Sequence, residues 1–195
     1  MAIYQPCKRK VETRLAASES KNRDRSVMKP KHKMMLLIVI ATFALAALAS
    51  QSAGAQVLTG DQLKKAVPNS FFYAGQSATV QVRNSTGLKN SAGKLVLAGL
   101  VDTSGYATAI AEKFQGFLIT EIKLGFDGAT LGPGAYGFGF KDGKFLVMDI
   151  GGTEVLSIAS QSDAQLKHPV PLKFEKAEAG YRLYAGRNYV VVKAD

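Results

Sequence analysis

The distribution of apolar and polar positions separates a leader from a folding part. Met34 to Ala49 is a run of sixteen residues in which only Thr42 is polar, and it stands behind Lys29, Lys31 and Lys33. The small residues Ala53-Gly54-Ala55 follow. A basic stretch, an apolar run and a small-residue site in that order make residues 28–55 a secretory signal and put the mature start at Gln56. The apolar run falls short of the roughly 20 residues that a spanning helix needs. Because Ser50 to Ala55 is small and weakly polar, a retained inner-membrane anchor over residues 34–55 is the alternative, with its basic flank in the cytoplasm.

Beyond Gln56 the periods shorten. Thr59-Gly60-Asp61-Gln62 has the form of a capping box, with Thr59 at N-cap, Gln62 at N3 and Leu58 and Leu63 as the hydrophobic staple. A short helix is expected there, ended by Pro68, which lacks the N–H and disfavours helical geometry just before it. Thr79 to Arg83 alternates with period two and reads as a strand with one buried and one wet face. Asn84 to Gly93 is polar and reads as a loop, whereas Lys94 to Val101 is almost wholly apolar and reads as a central strand. In Gly105 to Gln115, the helical spacing of Ala107, Ile110, Ala111 and Phe114 predicts a second short helix. Gly116 to Phe126 predicts one strand, followed by a tight primed turn at Asp127-Gly128.

The clearest pattern spans Ala135 to Ile150. Tyr136, Phe138 and Phe140 alternate with Gly137 and Gly139, Asp142-Gly143 supplies a two-residue turn, and Phe145, Val147 and Asp149 alternate with Leu146, Met148 and Ile150 on the return. This predicts a β-hairpin. Gly151-Gly152 turns the chain into Thr153 to Ala159, and Ser160 to His168 with Pro169 and Pro171 reads as a loop. Leu172 to Lys176, Tyr181 to Ala185 and Asn188 to Lys193 are further strands, separated by turns at Ala179-Gly180 and Gly186-Arg187. About eight or nine short strands with frequent turns predict a mainly β fold, a single antiparallel barrel or sandwich with one or two short helices. No repeat of fixed period points to a propeller or solenoid.

Charge is concentrated outside the folding part. The 195 residues carry a formal net charge of +10, yet residues 1–55 hold ten basic and three acidic side chains and residues 56–195 fifteen and twelve. A basic excess on the leader gives the β-domain no nucleic-acid surface. Residues 1–27, with Lys8, Arg9, Lys10, Arg14, Lys21, Arg23 and Arg25, hold too little apolar material for a core and read as a disordered tail. They serve as a basic nucleic-acid arm or a long n-region, or they precede a true translation start at Met28, the preferred reading. The one cysteine, Cys7, lies there, which leaves residues 56–195 without a disulfide or a cysteine-ligated metal. A bacterial lipoprotein anchor needs a cysteine directly after the cleavage site, where Gln56 stands. The expected location is therefore periplasmic or secreted, with a membrane contact only through an uncleaved leader.

Candidate chemistry is sparse. His168, the one histidine past the leader, precedes Pro169 in a polar loop with no serine or cysteine nucleophile motif nearby, so neither a catalytic histidine nor a histidine-rich metal site is expected. Asp127, Asp142 and Asp149 are separated by strands and are read as turn residues, not calcium ligands. Gly132 to Gly139 lacks the Gly-Lys-Ser/Thr of a phosphate cradle, and its glycines alternate with aromatics as packing glycines do. No cofactor is expected.

Two resemblances add to this reading. Leu100-Val101-Asp102-Thr103-Ser104-Gly105 resembles the active-site turn of aspartic peptidases, with Val147-Met148-Asp149-Ile150-Gly151-Gly152 as the partner turn. It implies that Asp102 and Asp149 share a proton. Ser104 and Ile150 depart from that pattern, and an Asp-Thr-Ser-Gly turn ending a strand is the competing reading. Ala129-Thr130-Leu131-Gly132-Pro133-Gly134-Ala135-Tyr136-Gly137-Phe138 resembles the Leu-x-x-Gly-x-Tyr segment of small exported bacterial β-domains of unassigned function, which implies export and a β-rich domain and transfers no catalytic residue. The expected function is a non-enzymatic, exported cell-envelope β-domain with an interaction or structural role and an envelope protein as partner. The alternatives are a β-barrel whose lining Tyr136, Phe138, Phe140 and Phe145 holds a small apolar ligand, and an aspartic-peptidase-like hydrolase.

Overall fold

The computed structural model describes residues 54–194. The basic tail, the apolar run and Ala53 lie outside the described residues, so the expectations placed on them are not addressed by the fold. Two antiparallel sheets form a sandwich. The first contains β1 (Gln56–Val57), β2 (Ser70–Tyr73), β3 (Gln76–Lys89), β4 (Leu95–Val101), β5 (Gly116–Thr120), β8 (Gly134–Lys141), β9 (Lys144–Met148) and β10 (Glu154–Ala159). Its order is β1-β3-β4-β5-β8-β9-β10, with β2 also paired to β3. The second contains β6 (Leu124–Phe126), β7 (Ala129–Leu131), β11 (Gln161–Ser162), β12 (Val170–Ala177), β13 (Gly180–Gly186) and β14 (Asn188–Ala194), ordered β12-β13-β14-β6-β7 with β11 also on β14. Neither sheet closes on itself, so of the two expected architectures the chain adopts the sandwich and not the barrel.

The centre of the first sheet, β4, β5, β8 and β9, is buried on both faces, and this explains its near-continuous apolar strands. Val96, Ala98, Leu118, Phe138, Phe140, Phe145 and Val147 face the second sheet and pack with Leu124, Phe126, Phe174, Leu183 and Val190. Leu97, Val101, Phe117 and Met148 face the other way, onto Phe71, Tyr73, Tyr106 and Phe114. A strand covered on both sides has no wet face to mark its period, which is why Lys94 to Val101 shows no alternation. The cover comprises β2, α1 (Gly60–Ala66) and α2 (Thr108–Ala111), whose Ile110 and Ala111 dock on the same cluster.

The glycine-aromatic alternation of β8 follows from this asymmetry. Its aromatic rings point between the sheets, while its glycines lie under the cover. A Cβ at Gly137 would stand 2.6 Å from the Tyr73 ring, and one at Gly139 would fall on the carbonyl oxygen of Lys113. Only a residue without a side chain admits cover at that distance. The hairpin it opens has the expected register, Phe140 opposite Phe145 and Lys141 opposite Lys144. Asp142 and Gly143 have φ of +51° and +72°, the two left-handed residues of a type I′ turn. Gly143→Val is expected to destabilise the domain by about 1–2 kcal/mol, because a β-branched side chain resists that region. An unchanged urea midpoint would contradict this.

Four local expectations are corrected. Asn84 to Gly93 is not one loop: β3 continues to Lys89, and only Asn90 to Gly93 turns. Thr86 is buried and its hydroxyl accepts the backbone N–H of Phe174 at 3.0 Å, while the Ser85 hydroxyl donates to the Gln81 carbonyl at 3.2 Å. Polar residues thus sit in a strand because the opposite sheet and the strand itself satisfy them. Gly116 to Phe126 is two strands, one in each sheet, broken where Thr120 closes a tight corner by accepting from Ile122 N–H and donating to Ile122 C=O. The Asp127-Gly128 turn is not primed, since only Gly128 has positive φ, the pattern of a type II turn. Finally, Thr59 occupies the N-cap position but makes no side-chain cap bond. Gly60, at φ +56°, leads the chain into the helix through a left-handed residue and removes Thr59 from capping geometry.

Candidate functional site

The residues expected to line a ligand cavity are largely packed on one another. Phe138 and Phe145 are fully buried with ring centroids 5.6 Å apart, Phe140 lies 5.0 Å from Phe145, and Phe126 of the second sheet completes the cluster at 5.9 Å. Centroid spacings of this size are those of rings in contact. Tyr136 is half-buried at the margin, its hydroxyl donating to the Gly132 carbonyl at 3.1 Å. Phe140 is the member of the four that borders a cleft.

That cleft, of about 410 Å³, opens between the sheets where β4, β8 and β13 end, and is lined by Gln81, Leu100, Gln115, Phe140, Pro171 and Asn188 among others. Its two glutamine amides are already committed. Gln115 donates to the Phe140 carbonyl at 3.0 Å and accepts from Phe140 N–H at 3.1 Å, and Gln81 donates to the Val101 carbonyl at 3.3 Å. A second, smaller cleft of about 280 Å³ is bordered by Phe126, Ile158 and Val190, next to Asp127, Gln161 and Lys193. Both lie at the low end of, or below, the roughly 300–1,000 Å³ of small-molecule sites.

The two aspartates of the peptidase resemblance are not brought together. Leu100, Gly116, Phe138 and Val147 form one row across β4, β5, β8 and β9. Asp102 lies two residues past the row on β4, and Asp149 two residues past it on β9, which runs the opposite way. Strand spacings of about 4.8 Å and rises of about 3.3 Å per residue then hold them on the order of 20 Å apart. Proton sharing needs neighbouring carboxylates, so this arrangement does not support it. Each organises its own loop instead. Asp102 accepts from Ser104 N–H at 3.0 Å, and that bond, more than the Ser104 side chain, lowers its pKa. Asp149 accepts from the N–H groups of Gly151 and Thr153, both at 2.9 Å, around the left-handed Gly152. His168 is exposed. Among the described residues no three of His, Cys, Asp and Glu gather as metal ligands would. No helix among them is long and apolar enough to cross a membrane.

A polar network on the outer face of the second sheet was not anticipated. Tyr184 is buried opposite Leu183 on β13, and its hydroxyl donates to Asp163 at 2.9 Å. Arg182 reaches the Tyr184 oxygen at 3.2 Å, lies 3.9 Å from the Asp163 carboxylate and sits 4.8 Å from the Tyr189 ring centre. Arg187 donates to the carbonyls of Leu166 and Lys167. Together they fasten the segment after β11 across the sheet. The Arg-x-Tyr spacing of 182 and 184 places both on one strand face, but nothing near them in sequence names Asp163 as the partner.

The Tyr184 hydroxyl is the main reason that the Asp163 carboxyl titrates below the usual aspartate value. A folded pKa below the unfolded one stabilises the fold above the unfolded value, about 3.9, and that contribution is lost as pH falls through the folded value. Asp163→Asn should therefore flatten the fall of melting temperature as pH is lowered below about 5. An acid slope equal to that of the parent would rule out the linkage.

Comparison of the chain with family models, with curated proteins and with solved structures returns no match.

Proposed function

We propose that this chain is an exported, non-enzymatic β-sandwich of the cell envelope with an interaction or structural role. The observation that carries the reading is the filled interior: Phe138, Phe140 and Phe145, the rings available to line a cavity, are spent on one another and on Phe126. The cleft bordering Phe140 offers two glutamine amides already bonded within the fold. Among the described residues no buried side-chain nitrogen or oxygen lacks a partner, so none awaits a ligand. The leader supports export, as does the resemblance at Leu131 to Tyr136 to small exported β-domains. The balanced charge of residues 56–195 argues for a protein partner in the envelope over nucleic acid.

A second reading, a small apolar ligand, draws on the cleft between Phe126, Ile158 and Val190. One experiment separates the two. The full chain is expressed in a bacterium, recovered from the periplasmic fraction and examined by native mass spectrometry and solvent extraction. The expected result is protein without a stoichiometric apolar companion. A lipid or other apolar molecule at one per chain would reverse the choice.

A further inference from the structure

The leader contains three sites of the Ala-x-Ala form, Ala44-Leu45-Ala46, Ala47-Leu48-Ala49 and Ala53-Gly54-Ala55. The fold sets the last of them apart. Ala55 is only 8% exposed and belongs to the core between the sheets, in the cluster that holds Leu88, Tyr181 and Ala194. Its carbonyl accepts the hydroxyl hydrogen of the buried Tyr181. Gly54 follows the same surface, since a Cβ there would stand 3.4 Å from the Tyr181 hydroxyl and 3.9 Å from Lys176 Nζ. Gly54 and Ala55 thus reach from β1, on the edge of the first sheet, to the β12–β13 hairpin of the second. Hydrolysis after Ala55 would remove a core methyl, the acceptor of a buried hydroxyl and a tie between the sheets. It would also place a charged ammonium on the first residue of a two-residue strand, Gln56–Val57.

The length of the apolar run points the same way. Counted to the Ala44-Leu45-Ala46 site, the run is Met34 to Phe43, ten residues; counted to Ala47-Leu48-Ala49 it is Met34 to Ala46, thirteen; counted to the last site it is Met34 to Ala49, sixteen. Signal h-regions span roughly 7–15 residues. Both upstream sites fit that length and the last exceeds it. Of the two, cleavage after Ala49 leaves none of the apolar run on the mature chain, whereas cleavage after Ala46 would leave Ala47, Leu48 and Ala49 on it.

We propose that export processing hydrolyses the Ala49–Ser50 bond, so that the mature protein begins at Ser50 and keeps Gly54 and Ala55 as parts of its fold. This rests on the export reading above. A signal peptidase of the exporting membrane catalyses the step with water as co-reactant. The amide C–N bond breaks, the water oxygen joins the Ala49 carbonyl carbon to form its carboxylate, and a hydrogen passes to the new Ser50 amine.

The test is the N-terminus and intact mass of the exported form of the full chain, tagged at its C-terminus. A start at Ser50 is expected. A start at Gln56, or at any residue other than Ser50, would overturn the site while leaving export intact. A chain recovered uncleaved would overturn both the site and the cleaved-export reading on which it rests. Two substitutions in the leader check the assignment independently of folding: Ala49→Leu should block processing and Ala53→Leu should leave it unchanged. The reverse pattern would move the site to Ala55.

Discussion

Phe145→Ala should destabilise the domain by about 3–5 kcal/mol, the range for removing a fully buried phenylalanine from a packed core. Phe145 has no exposed surface, and it touches the rings of Phe126, Phe138 and Phe140 at once. The first sheet cannot collapse into the space left, because β9 is held on both sides by its ladders with β8 and β10. Against the roughly 5–15 kcal/mol of a typical domain this is a large fraction. Urea unfolding should show a lower midpoint at unchanged slope, the mark of lost stability without a change in exposed area. If the ring bordered a hollow that already admitted solvent or ligand, truncation would cost only about 1 kcal/mol, since few contacts would be lost. That smaller value would count against the filled interior and against the proposed function together.

A single methyl should do comparable harm at Gly139. The Cβ of Gly139→Ala falls on the Lys113 carbonyl oxygen, a backbone atom that cannot rotate away. The segment carrying it is pinned to β8 by Gln115, whose N–H donates to the Phe138 carbonyl at 2.8 Å and whose side-chain amide bridges both backbone groups of Phe140. Relief requires breaking those bonds or bending β8. The expected loss is about 3 kcal/mol, at the upper end of overpacking effects. Gly132→Ala is the control: its φ is not left-handed and no atom lies within 4 Å of the added carbon, so a change within about 0.5 kcal/mol is expected. Equal effects at the two positions would show that the cover over β8 is looser than its geometry.

What could be read from neighbouring residues was decided by local physics. The turn at Asp142-Gly143 was legible because left-handed φ at two successive positions is a requirement that Asp-Gly meets without help from the rest of the chain. The shared face of Tyr136, Phe138 and Phe140 was legible because side chains alternate along any strand. Asp102 and Asp149 could be recognised as turn residues for the same reason, since the amides they accept from lie two and four residues away. Their separation was not legible, because it depends on β5 and β8 lying between β4 and β9.

The sequence by itself determined the β-rich class and the principal hairpin, both of which rest on contacts and conformations within a few residues. The tertiary structure alone decided the features whose partners are remote. Thr86 is a strand residue because Phe174, eighty-eight positions later, donates to its hydroxyl. Tyr184 is buried because Asp163, across two strands, takes its proton bond. Whether the aromatic face of β8 would be hollow or filled was settled by Phe126, Phe174 and Leu183 of the opposing sheet. Periodicity shows which side a residue faces, but what meets it there depends on how two sheets, distant in sequence, close on each other.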